Sequence, residues 1–251
     1  MPTIDINSDL GEGFGAYAMG DDDALLAIVS SANVACGFHA GDPMVMARTC
    51  EQARRHGVSV GAHPGFPDLQ GFGRRIIPMS EAEIESMVAY QIGGLMGIAA
   101  RAGIPVAHVK AHGALYNLAE VDTGVAAALA RAVKAVDPNL IFVAAVGSYL
   151  VAEGERLGLR VVREAFADRT YADDGRLVSR KLPGSVLRDA ASAADHVMRM
   201  VTEQALFSLG GKRIPAQIDT ICVHGDEPTA VAVATGVKQA LTKAGFTIAA
   251  P

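Results

Sequence analysis

Histidines, a lysine and several carboxylates stand at or just after the ends of short apolar segments of this chain. Imidazoles titrate near neutral pH and suit proton transfer, and together with carboxylates they bind divalent metals. A lysine inside an apolar strand is costly to bury unless it is paired or takes part in chemistry. We therefore predict a catalytic site formed by Asp9, Glu12, His39, His63, Lys110 and His112.

Further polar residues near the same segment ends are candidates for binding a substrate. Arg74 and Arg75 could clamp a carboxylate or phosphate, or both could be solvated surface residues. Asp42 precedes Pro43 and suits the start of a helix equally well. The predicted substrate-binding residues are Asp42, Arg74, Glu164, His224 and Asp226.

Polar side chains alternate with small or apolar ones in two of the predicted strands, at every second position from 5 to 9 and from 108 to 112. Successive side chains of a strand point to opposite faces, so each polar set shares one face. Parallel strands are normally apolar on both faces. The simplest location for these groups is a shared interior or mouth, where Asp5, Asp9 or Glu164 could pair with Lys110.

Short β-rich segments alternate with helical segments seven times along the chain. The predicted strands are residues 3–9, 31–37, 58–63, 106–112, 140–146, 160–166 and 219–224. The predicted helices are residues 22–29, 43–56, 81–102, 123–136, 148–157, 189–209 and 228–244. This alternation predicts an α/β protein with a parallel sheet, either closed as a barrel or open and doubly wound. No linker or low-complexity segment divides the chain, so we predict a single domain over residues 1–251.

Composition and charge argue against several functional classes. The chain has 251 residues, a net charge of −5 and no Trp, which disfavours binding to nucleic acid or to an anionic membrane. Its three cysteines form no CxxC pair, which fits reduced thiols. The first residues lack the features of a signal peptide, and the longest apolar run, 140–152, is too short to span a bilayer. We expect a soluble cytoplasmic protein that binds neither nucleic acid nor membranes.

Several familiar catalytic motifs are missing from the sequence. It contains no Walker A sequence and no Gly-x-Ser-x-Gly elbow. The glycine-rich run at 9–15 could approach an anion or could simply form a tight turn. Cys36 is interpreted as a small buried residue rather than as a nucleophile.

Six segments together resemble the LamB/YcsF family. They are NSDLGEGFG (7–15), SANVACGFHAGDP (31–43), GAHPGFPDLQGFGRR (61–75), HVKAHGALYN (108–117), FADRTY (166–171) and CVHGDEP (222–228). They occur in the order typical of the family and span almost the whole chain. The resemblance implies a (β/α)7 barrel related to polysaccharide-deacetylase and glycosidase barrels, which agrees with the seven predicted strands.

The same resemblance implies a reaction, because the family includes the A subunit of prokaryotic 5-oxoprolinase. It implies ATP-dependent opening of the lactam of 5-oxo-L-proline to L-glutamate, with ATP and magnesium as cofactors and subunits B and C as partners. It leaves open which subunit binds ATP. Ser8 stands where the family often has Cys, which argues against a thiol nucleophile there, and Ala111 replaces a common Pro but leaves Lys110 and His112 in place.

Related deacetylase barrels bind a metal through one Asp and two His, and Asp9, His39 and His63 offer these ligand types. We therefore expect a divalent metal as a possible cofactor at these three residues.

Two other functions stay open. One is a metal-dependent amidohydrolase or deacetylase that acts on another N-acyl or lactam substrate without ATP. The other is a non-catalytic subunit that binds 5-oxoproline.

Overall fold

A computed structural model describes residues 1–225 and 228–251, which form a barrel of parallel strands surrounded by helices. The strands are β1 (Thr3–Leu10), β2 (Ser31–Ala35), β3 (Ser59–His63), β4 (Val106–Val109), β5 (Ile141–Ala145), β6 (Val161–Phe166), β7 (Ala205–Phe207), β8 (Arg213–Pro215), β9 (Thr220–Val223) and β10 (Thr247–Ile248). The helices are α1 (Asp22–Leu26), α2 (Pro43–His56), α3 (Glu81–Ala102), α4 (Gly113–Val121), α5 (Thr123–Val136), α6 (Tyr149–Arg156), α7 (Ala190–Glu203) and α8 (Ala230–Lys243).

Seven strands close the barrel in the order β1, β2, β3, β4, β5, β6 and β9, and β9 pairs again with β1. All of these pairs are parallel. The prediction of a (β/α)7 barrel is therefore confirmed, and the open, doubly wound alternative is wrong because the β1–β9 pairing leaves no open edge in the ring. β10 lies outside the ring and pairs with the start of β1.

Helices α2, α3 and α5 begin and end at the predicted residues because capping groups determine their ends. The Asp42 carboxylate accepts hydrogen bonds from the backbone amides of Met44 and Val45 at the start of α2. Ser80 and Glu83 form the capping box predicted for α3. The glycines that follow α2 and α3 are left-handed, which is the usual end of a helix.

Several predicted elements end earlier than expected, and in two cases another element follows directly. The strand predicted over 106–112 ends at Val109, and the unpredicted helix α4 begins at Gly113. The helix predicted over 189–209 ends at Glu203, because Gln204 is left-handed (φ 45°) and β7 then pairs with β8 as an antiparallel hairpin. Strand pairing across the hairpin outweighs the helical periodicity of this segment.

The barrel interior is lined by buried polar side chains, including Asn7, Asn33 and His108. His108 Nε2 lies 2.9 Å from Asn33 Oδ1, and Asn33 Nδ2 donates to Asn7 Oδ1 at 2.8 Å. The His108 ring fills the space beside Gly61, where a Cβ would lie 2.1 Å from the ring. The polar alternation in the sequence thus corresponds to a hydrogen-bonded layer inside the barrel.

Among residues 1–225 and 228–251, no helix combines the length and the apolar composition that crossing a membrane requires.

Candidate active site and metal centre

A cavity of about 570 Å³ opens at the carboxyl ends of the barrel strands. Asp9 lies near the end of β1, His63 ends β3, Lys110 follows β4, and His224 follows β9. All four side chains line the cavity. Parallel strands present their last side chains at one rim, which is where α/β barrels carry their active sites.

Four of the predicted catalytic residues form a buried group, called here the His–Glu cluster: Glu12, His39, His63 and His112. One ligand atom from each residue lies within 4.8 Å of the others. Glu12 Oε1 is 3.3 Å from His39 Nε2 and 3.4 Å from His112 Nδ1. The His39 and His112 rings are stacked, with their centroids 3.7 Å apart and their planes within 4° of parallel.

Backbone carbonyls determine which ring nitrogens face into the cluster. His63 Nδ1 lies 2.8 Å from the Lys110 carbonyl oxygen, and His112 Nε2 lies 2.8 Å from that of Phe72. A carbonyl oxygen only accepts hydrogen bonds, so each of these nitrogens carries a proton. His63 Nε2 and His112 Nδ1 therefore face into the cluster and lie 3.0 Å apart. His39 Nδ1 is buried and has no hydrogen-bond partner among the described residues.

This arrangement fits a divalent metal ion. Burial, together with the adjacent imidazoles, lowers the pKa of His39 well below its usual value. Burial and the nearby His63 also lower the pKa of His112 to about 3. Neutral imidazoles are the form that binds metals, and three imidazoles with one carboxylate are ligand types of zinc and related ions. A cation at the centre of the cluster would stabilise the converging ring nitrogens and the Glu12 carboxylate.

The ligand group differs from the predicted one in its carboxylate. The sequence predicts Asp9, His39 and His63 as ligands, whereas the structure groups the two histidines with Glu12 and His112. Asp9 Oδ1 instead accepts a hydrogen bond from Lys110 Nζ at 3.0 Å, and its Oδ2 lies 3.4 Å from His63 Nε2. After β1 the chain turns at Gly11, which has a left-handed backbone conformation (φ 68°). Glu12, which supplies the carboxylate of the cluster, follows this turn directly.

Lys110 forms a buried ion network with two carboxylates. Its Nζ lies 3.0 Å from Asp9 Oδ1 and 2.8 Å from Glu164 Oε1. The Tyr116 hydroxyl donates to the other Glu164 oxygen at 2.7 Å. Burial alone would lower the pKa of Lys110, but the two adjacent carboxylates outweigh it and raise this pKa well above its usual value. Lys110 is therefore a charged group that is paired and also forms part of the cavity wall.

His224 is oriented by a carboxylate that the sequence analysis did not single out. His224 Nδ1 lies 2.8 Å from Asp168 Oδ2, and the imidazole stacks on the Phe166 ring at 5.4 Å between centroids. Burial would raise the pKa of Asp168, but the contact with His224 holds it below its usual value. A carboxylate on Nδ1 leaves the other ring nitrogen, Nε2, for a substrate.

The remaining predicted substrate-binding residues are in different places. Arg74 lines the cavity, with its guanidinium 4.9 Å from the Phe72 ring centroid. Asp42 lies outside the cavity lining, where it caps α2 and accepts a hydrogen bond from the Gly15 amide at 2.7 Å. Asp226 lies outside the described residues.

Exposure and burial decide the roles of two further residues. Arg75 lies outside the cavity lining with its side chain 65% exposed, and it forms an ion pair with Asp68 of its own loop, so it is a surface arginine. Cys36 is buried, and burial raises the pKa of its thiol to about 12. A thiol with this pKa is a poor nucleophile.

Sequence reasoning missed four residues that shape the cavity or its network: Tyr116, Glu120, Asp168 and Arg169. The first two lie on α4, which was not predicted as a helix. The other two begin the long polar segment at 168–184. Two signals in the sequence could have found them. Tyr116, Asp168 and Arg169 lie in the family-like segments 108–117 and 166–171, and a polar loop of this length after a barrel strand is typically functional.

Comparison with known proteins gives matches over the whole barrel. The LamB/YcsF family model matches residues 4–251. The A subunit of 5-oxoprolinase from Rhodopseudomonas palustris (strain BisB5) is 58% identical over 246 residues, covering 98% of this chain and 97% of that protein. The crystal structure of a lactam utilization protein from Thermus thermophilus matches with a TM-score of 0.94 at 45% identity, covering 99% of this chain and 100% of that one.

A more distant match concerns the fold alone. A polysaccharide deacetylase from Bacillus cereus superposes with a TM-score of 0.52 at 12% identity, covering 100% of this chain and 92% of that one. The barrel is therefore deacetylase-like in architecture.

Proposed function

Because the chain belongs to the LamB/YcsF family, we propose that it is one component of an ATP-dependent 5-oxoprolinase. In this reaction the lactam of 5-oxo-L-proline is hydrolysed to L-glutamate while ATP is converted to ADP and phosphate. The observation that carries the proposal is the single rim at which the His–Glu cluster, Lys110 and His224 meet. The names of the two similar proteins, a lactam utilization protein and a 5-oxoprolinase component, support a lactam as the substrate.

Glu12, His39, His63 and His112 would hold the metal. When bound there, a divalent ion supplies Lewis-acid polarisation of a carbonyl oxygen and lowers the pKa of water. Asp9 lines the cavity beside the cluster and can accept a hydrogen bond from the attacking water, which orients it. The Lys110 ammonium stabilises negative charge that develops on the lactam oxygen.

His224 is the group best placed to donate a proton to the leaving ring nitrogen. Water oxygen bonds to the lactam carbon, the carbon–nitrogen bond breaks, and the nitrogen takes the proton from His224 Nε2. Asp168 holds the ring in position through Nδ1, which is how carboxylates orient acid–base histidines. The imidazoles of the His–Glu cluster are less suited to this step because their inward nitrogens face Glu12 and one another.

ATP serves to activate an amide that water attacks slowly. Phosphorylation of the lactam oxygen by ATP, which releases ADP, makes the ring carbon more electrophilic. After water has added and the carbon–nitrogen bond has broken, a second water hydrolyses the resulting acyl phosphate to the carboxylate of glutamate and phosphate. The sequence carries no Walker A motif, so we assign ATP and magnesium to the complex with subunits B and C, which we propose as partners in the cytoplasm.

The test is glutamate release from 5-oxo-L-proline with ATP and magnesium, comparing this chain, its B and C partners, and all three together. We expect glutamate only from the full mixture. His224→Gln should lower the rate by about a hundredfold or more, which is the usual contribution of a general acid. His56→Gln, on the outer helix α2, is the matched control and should leave the rate unchanged.

A second candidate function is metal-dependent hydrolysis of another N-acyl or lactam compound without ATP. The His–Glu cluster and the deacetylase-like barrel favour it. It predicts that this chain alone, loaded with zinc, cleaves such a compound and that a chelator abolishes the activity. Failure of the assembled and folded complex to release glutamate, together with such cleavage, would decide for this second function.

A further inference from the structure

Arg169 is a buried arginine at the wall of the cavity, three residues after β6. Its side chain is only 7% exposed, yet it lines the same cavity as Glu12, His112 and His224. One guanidinium nitrogen donates to the Val178 carbonyl at 2.6 Å. Its Nε is buried and has no hydrogen-bond partner in the described part of the chain.

The charge of Arg169 is not neutralised by the side chains around it. Within residues 1–225 and 228–251, no carboxylate lies within ion-pair distance of its guanidinium. Burial and the positive charge of Arg180 lower the pKa of Arg169, and the more distant Asp168 and Glu120 offset this only partly. Asp168 is already engaged with His224. A buried cation without a paired anion is unfavourable, and such groups cluster at binding sites.

Other cationic groups line the same cavity. They are Arg176, Arg180 and Arg74, the last of which lies beside the His–Glu cluster on the Phe72 ring. Asp9, Glu12, His63 and His112 also line the cavity. The cavity therefore carries arginines as well as the candidate hydrolytic groups. An arginine guanidinium offers parallel donors that match the oxygens of a carboxylate or a phosphate.

We infer that Arg169 binds an oxyanion group of the substrate, either a carboxylate or a phosphoryl group. The anion would lie at Arg169 while the amide to be hydrolysed faces the His–Glu cluster. Arg169 would thus be a specificity-determining residue that selects anionic amides over neutral ones. The identity of the amide as 5-oxo-L-proline rests on the function proposed above, whereas the anion site rests on Arg169 itself.

A purely structural role for Arg169 makes a different prediction. Its hydrogen bond to Val178 holds two parts of the polar segment at 168–184 together. If that were its only role, replacing it would weaken the binding of charged and neutral ligands alike. The discriminating measurement therefore compares an anionic lactam with the same ring lacking the carboxylate.

The experiment is a set of NMR titrations of the full chain with 5-oxo-L-proline, 2-pyrrolidinone and inorganic phosphate, which resolve millimolar affinities. The variants are Arg169→Gln and Arg169→Lys, with thermal unfolding followed to confirm that each is folded. Arg101→Gln is the charge-matched control, because Arg101 is exposed at the end of α3, whose last turn lies at the opposite end of the barrel.

We expect Arg169→Gln to weaken the binding of at least one anion tenfold or more, Arg169→Lys to recover part of it, and 2-pyrrolidinone binding to stay unchanged. Loss for 5-oxo-L-proline assigns the site to the carboxylate, and loss for phosphate alone assigns it to a phosphoryl group. If phosphate binding depends on Arg169 and 5-oxo-L-proline does not bind at all, the anion site is supported and the lactam is rejected as its ligand. Unchanged anion binding in Arg169→Gln, equal loss for 2-pyrrolidinone, or no anion binding by the unmodified chain overturns the inference.

Discussion

The buried lysine is the residue on which the charge balance inside the barrel depends. Lys110 faces the carboxylates of Asp9 and Glu164, so the group carries two negative charges and one positive charge. Neutral donors spread the remaining negative charge, since Asn7 and Tyr116 both donate to Glu164. Removal of the one cation leaves two carboxylates close together in a poorly solvated place.

Lys110→Met should therefore lower the free energy of unfolding by about 3–5 kcal/mol, the range seen when one partner of a buried ion pair is removed. Urea unfolding at pH 7 measures the loss. Lys243→Met, on the exposed last turn of α8, is the control and should change stability by less than about 0.5 kcal/mol. A loss at Lys110 no larger than at Lys243 would show that the network does not stabilise the fold.

Glu120 is a largely buried carboxyl at the cavity wall. Burial and the negative charge of Glu164 raise its pKa to about 7, and no described residue forms a hydrogen bond with its Oε1. The folded chain therefore still holds the Glu120 proton at pH values at which the unfolded chain, with a pKa of about 4.5 for this group, has lost it. The contribution of the protonated carboxyl to folding stability is complete below about pH 4.5 and is lost as the pH rises through about 7.

Glu120→Gln should remove this part of the pH dependence, which amounts to at most about 3 kcal/mol between pH 4.5 and 8. The measurement is the difference in unfolding free energy between pH 5 and pH 8 for the variant and the unmodified chain. Glu51→Gln, on the exposed face of α2, should retain the full slope. Equal slopes in Glu120→Gln and the unmodified chain would contradict the buried titration.

Sequence alone identified most of the charged residues that the structure brings together at the cavity, but not all of their contacts. The histidines could be found because each follows an apolar strand, and strand ends meet at one rim. Whether Asp9 or Glu12 accompanies them could not be predicted, because that depends on the turn at Gly11 and on which carboxylate Lys110 reaches. Asp168 was missed because its partner, His224, lies more than fifty residues away along the chain. Arg169 was missed because its partner, Val178, lies in a segment that was not predicted to form a helix or a strand.

At the scale of elements, local signals determined some boundaries and tertiary pairing determined others. Helices with an N-cap and a terminal glycine were predicted to the residue. The end of α7 was not, because apolar residues at helical spacing continue into β7, and only pairing with β8 makes that segment extended. The N-cap position of helix α4 is His112, whose side chain makes no hydrogen bond to the first turn of the helix, so the sequence carried no capping signal for α4.

Strand β3 contains the position most sensitive to a single methyl group. A Cβ at Gly61 would lie 2.1 Å from the His108 ring, which is held by its hydrogen bond to Asn33. Gly61→Ala should lower the unfolding free energy by about 1–3 kcal/mol or more, as overpacked cores do. Gly93→Ala, in open space on α3, is the matched control and should raise it by up to about 1 kcal/mol. Thermal unfolding of both variants, with opposite shifts expected, is the measurement.

At the scale of the whole molecule, metal binding and folding are linked. The His–Glu cluster draws residues from four separate strand ends, so the site exists only in the closed barrel. An ion that binds the folded chain alone stabilises it by about 3 kcal/mol at a hundred times its Kd. Zinc should therefore raise the Tm by roughly 5–10 °C, and a chelator should reverse the shift.

The same linkage supplies a control that does not depend on catalysis. His39→Ala should lose the zinc-dependent rise in Tm, while His56→Ala should keep it. An equal rise in both variants would mean that zinc binds elsewhere on the chain.

The overall architecture was the most predictable property, because seven strand and helix pairs leave few arrangements and the motif order matches one family. The β7–β8 hairpin and β10 were not anticipated, since segments of two or three residues carry too little periodicity to be recognised.

The seam between β1 and β9 has a consequence for how the chain is made. It joins residues as far apart as Asp5 and Thr220, 215 positions along the chain. During synthesis β1 to β6 emerge long before β9. Until β9 has been made, β1 and β6 carry unpaired backbone groups at the edges of the sheet, and the polar interior is not enclosed. Ring closure is then the late, long-range step of folding, and a nascent chain stalled before β9 is the form most exposed to aggregation and to chaperones.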